Sequence, residues 1–192
     1  MRSAEVKRKT KETEIVIGLN LDGGQVKADT GIGFFDHMLT AFGVHGGFGL
    51  AVHVVGDLDV DAHHSVEDTG IVLGKAFAQA LGNKSGIARF GNFYVPMDEA
   101  LGFAAVDISG RPYIVFDAEF EEGRVGAFDT CLCEEFFRAF AFHAGITLHL
   151  RCLSGKNAHH QIEALFKAAA HALSGAVKVQ GSGALSTKGA ID

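Results

Sequence analysis

The sequence predicts an α+β fold built on an internal duplication, and three observations carry that prediction. The stretch His63-His64-Ser65-Val66-Glu67 returns as His159-His160-Gln161-Ile162-Glu163. Each copy opens a helix that follows a strand and an earlier helix, so the order helix, strand, motif helix occurs twice. Short β-rich runs bounded by turn residues precede those elements in both halves. We read residues 1–91 as the first half-repeat, with the metal-type motif His63 to Glu67. Residues 92–192 form the second, with the motif His159 to Glu163 and a C-terminal tail. At 192 residues and 47% hydrophobic, the chain has ample material for a core.

In chain order, the branched residues of 13–21 read as a strand closed by Asp22-Gly23-Gly24, with a short return strand through Val26 and Ala28, which together predict a β-hairpin. Thr30-Gly31-Ile32-Gly33 lacks both the lysine of a phosphate-binding loop and the third glycine of a dinucleotide motif, so it is read as a turn. Apolar spacing over 34–44 predicts a helix with His37 and His45 on it. A strand over 50–55 ends at Gly56-Asp57, and Asp61 is the expected N-cap of a helix running from His63 to Leu81-Gly82. Three strands follow at 90–97, 101–108 and 113–120, separated by Asp98-Glu99 and by Ser109-Gly110-Arg111-Pro112. A helix over 129–144, a strand over 147–153, the turn Gly155-Lys156-Asn157 and a helix over 159–173 complete the second half. Residues 175–192, rich in Gly, Ser and Ala, read as a flexible tail.

A net charge of −6 and a pI near 5.9 offer no broad basic surface, which argues against a nucleic-acid or anionic-membrane partner and makes any phosphate binding local. Three cysteines, an odd number lacking the spacing of a zinc knuckle or redox pair, fit a reducing cytoplasm. Residues 1–14 are dense in Lys, Arg and Glu with no apolar h-region, and no run approaches a membrane span.

The motifs carry the chemistry. On a helix His63 and Glu67 are spaced i, i+4 and share a face, as do His159 and Glu163, whereas adjacent residues point roughly 100° apart. His64 and His160 therefore point elsewhere, and each motif can serve two metal sites. Neighbouring histidines on a solvated helix start would explain one copy, but two copies arise by chance in well under about 1 in 1,000 chains of this composition. His37 follows Asp36, a carboxylate placed to orient its imidazole. His149 lies between Leu148 and Leu150 on a strand, so it faces away from both. His53, His143 and His171 are read as structural. Arg89, Arg111, Lys156, Lys167 and Lys188 are scattered cations, of which Lys167, four residues past Glu163, would present an ammonium beside the metals. Such groups suit a phosphate-bearing substrate. Several imidazoles and two carboxylates suit Mn, Fe or Zn with open positions for a Lewis-acid reaction: hydrolysis, elimination or isomerisation.

A resemblance narrows this. Lys11-Glu12-Thr13, Leu19-Asn20-Leu21-Asp22-Gly23, Thr30 through Leu39, Asp61 through Asp68, Ser109-Gly110-Arg111-Pro112-Tyr113, Gly145 through His149, Gly155 through Glu163 and Ser186-Thr187-Lys188-Gly189 resemble the monofunctional imidazoleglycerol-phosphate dehydratases of histidine biosynthesis. The match runs from about Arg8 to the C-terminus; Phe35, where leucine is more usual, and Cys131-x-Cys133 depart from it. The resemblance implies a ribosomal-S5-domain-2-like unit in each half, a four-stranded sheet with helices on one face, the two halves together forming one catalytic domain.

It further implies a hydro-lyase acting on an imidazole phosphate through a dimetal-stabilised imidazolate. Two Mn²⁺ ions per active site and a cytoplasmic homo-oligomer of 24 subunits with active sites between subunits are also implied, with no nucleic-acid or membrane partner. The implied ligands are His37, His63, His64, Glu67, His149, His159, His160 and Glu163. Combined with the i, i+4 spacing, this assigns His37, His64, His159 and Glu163 to one ion and His63, Glu67, His149 and His160 to the other. Glu12 and His45 are the expected catalytic pair. His37 and His45 are expected to contact the substrate together with Glu12. Arg89, Arg111, Lys167, Ser186, Thr187 and Lys188 are expected at the phosphate. A dinuclear metallohydrolase or phosphatase using the same ligands, and a metal-storage protein, are the alternatives.

Overall fold

The computed structural model describes residues 2–183 and 185–187. The first half contains β1 (Ser3–Lys9), β2 (Thr13–Asn20), β3 (Val26–Asp29), α1 (Gly33–Gly46), β4 (Gly49–Gly56) and α2 (His63–Leu81). The second contains β5 (Phe90–Met97), β6 (Ala100–Asp107), β7 (Tyr113–Asp117), β8 (Arg124–Val125), β9 (Phe128–Asp129), α3 (Leu132–Ala144), β10 (Thr147–Ser154) and α4 (Ala158–Ala176). The sheets have the orders β1-β2-β4-β3 and β5-β6-β10-β7, and in each only the last pair is parallel. The two halves therefore share one topology, with β8 and β9 added to the second as a small hairpin.

Period-two alternation sends Ile15, Ile17 and Leu19 of β2 and Leu50, Val52 and Val54 of β4 into the core, as it does Leu148 and Leu150 of β10. Each sheet is thus covered on one face by helices. The helices then pack across the halves, α2 along α3 and α1 along α4. The first of these crossings is close because Gly70 and Gly74 carry no side chain: a Cβ at Gly70 would lie 2.5 Å from the Phe136 carbonyl oxygen, and one at Gly74 2.6 Å from that of Phe140. Gly74→Ala should therefore destabilise. It gains about 1 kcal/mol of helix propensity, but overpacking against an opposing backbone costs about 1–3 kcal/mol. A urea midpoint of the chelated protein that rose instead of falling would show that the helices can separate.

Several expectations change. Val26 to Asp29 does not return onto β2 but pairs in parallel with β4, so the expected hairpin is absent. Strand β2 instead pairs with β1, whose charged residues hid the alternation Ala4, Val6, Arg8 on its half-buried face. Asp61 is not the N-cap; that position is Ala62, and the Asp61 carboxylate accepts the His63 N–H at 2.7 Å one residue earlier. The strand expected to reach residue 120 stops at Asp117, α3 begins at Leu132 rather than residue 129, and α4 extends past 173 to Ala176.

The described part of the expected tail is tied down. Arg89 N–H donates to the Ala176 carbonyl at 2.9 Å, Gln180 N–H donates to that of Gly86 at 2.8 Å, and Gly86 N–H donates to that of Gly183 at 2.7 Å. Lys188 lies outside the described residues. Cys131, Cys133 and Cys152 are free thiols. No described helix is long and apolar enough to cross a membrane.

Candidate metal centre

The parallel packing of α1 on α4 builds the densest group of ligand atoms. His37 from the second turn of α1 meets His159 and Glu163 from the first turns of α4, and one ligand atom of each lies within 4.8 Å of the others. The His37 and His159 Nε2 atoms stand 3.1 Å and 3.2 Å from Glu163 Oε2. Lys167, one turn further along α4, places Nζ 2.6 Å from the other carboxylate oxygen. The Glu163 side chain is 7% exposed. Burial works against its charge, yet Lys167 and then His37 pull its pKa below the ordinary carboxylate value. Two imidazole nitrogens converging on one ionised, nearly buried carboxylate suit a borderline divalent metal. Phe34 closes one side, its ring edge-on to His159 at 4.9 Å.

The first motif finds no such third ligand among the described residues. His63 Nε2 and Glu67 Oε2 are 3.5 Å apart on one face, as the spacing requires, with both side chains roughly half exposed. Helix α2 packs on α3, and the opening turns of α3 contain no histidine; Glu134 and Glu135 there pair with Arg138. Among the described residues His37, His159 and Glu163 are the one three-ligand group. Within the chain His64 does not join it. His149 sits on the outer face of β10, between Ala105 of β6 and Val115 of β7, away from the helices. Of the two expected ligand sets, three members of one meet, whereas of the other only His63 and Glu67 do.

The second histidine of each motif has its own carboxylate. His64 Nδ1 is 3.0 Å from Asp57 Oδ2, and His160 Nδ1 is 2.9 Å from Glu99 Oε2. These bonds raise both imidazole pKa values above the ordinary 6.5. The Glu99 carboxyl is lowered to about 2, first by the Asn157 N–H and then by His160 and the Lys156 N–H. Asp57 and Glu99 escaped the sequence reading because both were read only as turn residues. The signal was the duplication itself, since Glu99 stands immediately before β6 as Glu12 stands immediately before β2.

Glu12 lies in the β1–β2 turn with Oε1 4.0 Å from His64 Nε2, and with Asp57 it lines an open cleft of about 310 Å³. His45, in the last turn of α1, stands ring-to-ring with His171 at 5.3 Å, and His171 stacks on Phe93 at 4.3 Å. Burial lowers the pKa of both histidines, and at His45 the Lys167 ammonium adds to it. Asp36 does not orient His37; its Oδ1 accepts from the Thr30 N–H at 2.8 Å and hydroxyl at 2.7 Å, which anchors the turn that starts α1.

Arg89, held at φ +70°, donates from Nε and Nη2 to Asp107 at 2.7 and 3.1 Å, and its Nη1 donates to the Leu185 carbonyl at 2.7 Å. Arg111 Nη2 is 4.0 Å from the same Asp107. Ser186 and Thr187 thus follow directly on a residue held by Arg89. Two arginines thus converge on the Asp107 carboxylate beside residues 185–187.

The family profile of imidazoleglycerol-phosphate dehydratase matches residues 30–173. The chain is 57% identical to the imidazoleglycerol-phosphate dehydratase of Lacticaseibacillus casei strain BL23 over the full length of both chains. It is 55% identical to that of Acetivibrio thermocellus over 99% of both. The crystal structure of imidazoleglycerol-phosphate dehydratase from Staphylococcus aureus subsp. aureus N315 superposes with a TM-score of 0.85 at 40% identity, covering 93% of this chain and 99% of that one. The Pyrococcus furiosus structure gives 0.84 at 38% identity, covering 96% and 99%.

Proposed function

The chain belongs to the imidazoleglycerol-phosphate dehydratase family and acts as the hydro-lyase that converts D-erythro-1-(imidazol-4-yl)glycerol 3-phosphate to 3-(imidazol-4-yl)-2-oxopropyl phosphate and water in L-histidine biosynthesis; on that premise we propose a two-manganese centre completed between subunits of a 24-subunit cytoplasmic shell. One observation carries the proposal: the trio His37, His159 and Glu163 is assembled within the chain, while among the described residues the half-exposed His63 and Glu67 meet each other without a third ligand and His149 lies on the outer face of β10. Ligands split this way complete two sites only if neighbouring copies supply the missing ones. The outer face of the second sheet, where His149 lies, also carries Tyr94 against Phe103 at 4.5 Å and the exposed Phe90, Tyr113 and Leu153, apolar surface suited to a second copy.

When bound, the metal pair supplies Lewis acidity toward the substrate imidazole. The chain's own groups do the rest. Glu12 takes the proton from the hydroxyl-bearing carbon, the hydroxyl on the carbon next to the imidazole leaves and, with the proton that the enol gives up, becomes water, and Glu12 returns its proton to that carbon as the enol becomes the ketone; His45, its pKa lowered by partial burial, meets the substrate hydroxyls. Arg89, Arg111, Lys167, Ser186, Thr187 and Lys188 hold the phosphate. Residues 1–91 and 92–192 act together as one catalytic domain. The family match favours this reaction over hydrolysis at a dinuclear site.

The test is ultraviolet detection of the ketone product from imidazoleglycerol phosphate, using chelated protein with and without Mn²⁺. Product restored by Mn²⁺ is expected; full turnover in the chelated protein would remove the metal from the reaction. Mn²⁺ affinity should also fall with pH. A metal takes the neutral imidazole, and the pKa values of His64 and His160 are raised, so protons begin to compete above pH 6.5. Below each raised pKa, affinity should drop by about tenfold per pH unit for each proton displaced. Equal affinity at pH 8 and pH 6 would contradict this.

A further inference from the structure

We infer that Asp57 and Glu99 are positioning residues that hold the Nδ1 edges of His64 and His160, leaving each Nε2 as the metal-facing nitrogen; this rests on the metal reading above. A neutral imidazole carries its proton on one nitrogen and its lone pair on the other, so a carboxylate accepting from Nδ1–H fixes both the tautomer and the ring plane. Glu99 is itself immobilised. While Oε2 meets His160 Nδ1 at 2.9 Å, Oε1 accepts the backbone N–H groups of Lys156 at 3.1 Å and Asn157 at 2.9 Å, and Asn157 in turn accepts the His160 N–H at 3.3 Å. One carboxylate thereby ties the β5–β6 turn, the start of α4 and the ring of His160 together. Asp57 meets His64 Nδ1 with its two oxygens at 3.0 and 3.2 Å, and its N–H donates to the Glu12 carbonyl at 3.1 Å.

The duplication shows why the two holders differ. Glu12 and Glu99 occupy the same place in the repeated topology, immediately before β2 and β6, and His64 and His160 are the second histidines of the two motifs. Glu99 approaches its histidine at Nδ1, whereas Glu12 stands at the Nε2 side of His64, 4.0 Å away. In the first half the Nδ1 edge is taken by Asp57, the residue after β4. Its counterpart after β10 is Gly155, at φ +150° with no side chain to offer, so in the second half Glu99 does the holding. Asp98, largely exposed, is the carboxylate on the Nε2 side there, at 3.7 Å. With Asp57 orienting His64, Glu12 is released to face the reacting side.

The test is Mn²⁺ binding to the chelated full-length protein, followed by the paramagnetic resonance of free Mn²⁺. Glu99→Ala and Asp57→Ala should each weaken uptake by about 10–100-fold. Asp57→Asn, whose amide oxygen still accepts from Nδ1–H, should restore most of it while keeping the wild-type melting midpoint of the chelated protein. Glu99→Gln has one oxygen for the two jobs its carboxylate does and should stay weak. Wild-type affinity in the alanine variants would overturn the inference, as would Asp57→Asn binding as weakly as Asp57→Ala. Wild-type protein that took up no Mn²⁺ would instead overturn the metal reading on which it rests.

Discussion

Glu163→Gln is expected to empty the site formed with His37 and His159 and to lower turnover by about 10³-fold or more. The loss of a metal's Lewis acidity removes several kcal/mol of transition-state stabilisation, and each 1.36 kcal/mol is a factor of ten. Glutamine keeps the shape of the side chain and the packing of α4 but not the anion. The two imidazole nitrogens at 3.1 and 3.2 Å would face an amide, and the Lys167 ammonium, 2.6 Å from the carboxylate, would be left beside them without its counter-charge. A cation in that position repels a metal ion. Metal content per chain should therefore fall together with activity. A variant with full metal and native turnover would exclude Glu163 from the ligand set.

Glu12→Gln should behave in the opposite way, with turnover reduced about 10²–10⁴-fold, the usual contribution of a general acid/base, and metal content unchanged. The geometry separates the two cases. Glu163 is nearly buried and is shared by two histidines, whereas Glu12 is about half exposed at 4.0 Å from His64 Nε2, beyond hydrogen-bond reach and lining an open cleft. A carboxylate so placed is free to move a proton and is not needed to hold an ion. The turn that carries it is fixed from both sides: the Glu12 N–H donates to Thr10 Oγ1 at 3.1 Å, and the Asp57 N–H donates to the Glu12 carbonyl at 3.1 Å. Unchanged turnover would remove Glu12 from the mechanism; metal loss equal to that of Glu163→Gln would make it a ligand instead.

The sequence by itself determined the side-chain relations that regular spacing along one element dictates. The i, i+4 spacing places His63 with Glu67 and His159 with Glu163 on single helix faces, and both pairs are found at 3.5 and 3.2 Å. The same spacing carries Lys167 to Glu163, and the alternation around His149 turns it away from Leu148 and Leu150. The repeated motif also signalled the duplicated α+β unit, because one topology repeated needs only one pattern repeated.

Tertiary structure decided what depends on which element lies beside which. Strand β3 turned to β4 and not to β2, a choice that local turn chemistry at Asp22-Gly23-Gly24 does not encode. Asp36 was drawn to Thr30 and away from the neighbouring imidazole, and Asp57 and Glu99, separated from their histidines by 7 and 61 residues, became hydrogen-bond partners only through the fold. Most of all, His37 joins the second motif and not the first because the helices pair across the halves, α1 on α4 and α2 on α3. Shape accommodates the α2–α3 crossing, where Gly70 and Gly74 let α2 approach the α3 backbone closely, and it seats α4 on its own sheet, where a Cβ at Gly91 would fall 1.9 Å from the Ala172 carbonyl oxygen. Spacing along a helix fixes which side chains share a face, but close packing between helices fixes what that face meets.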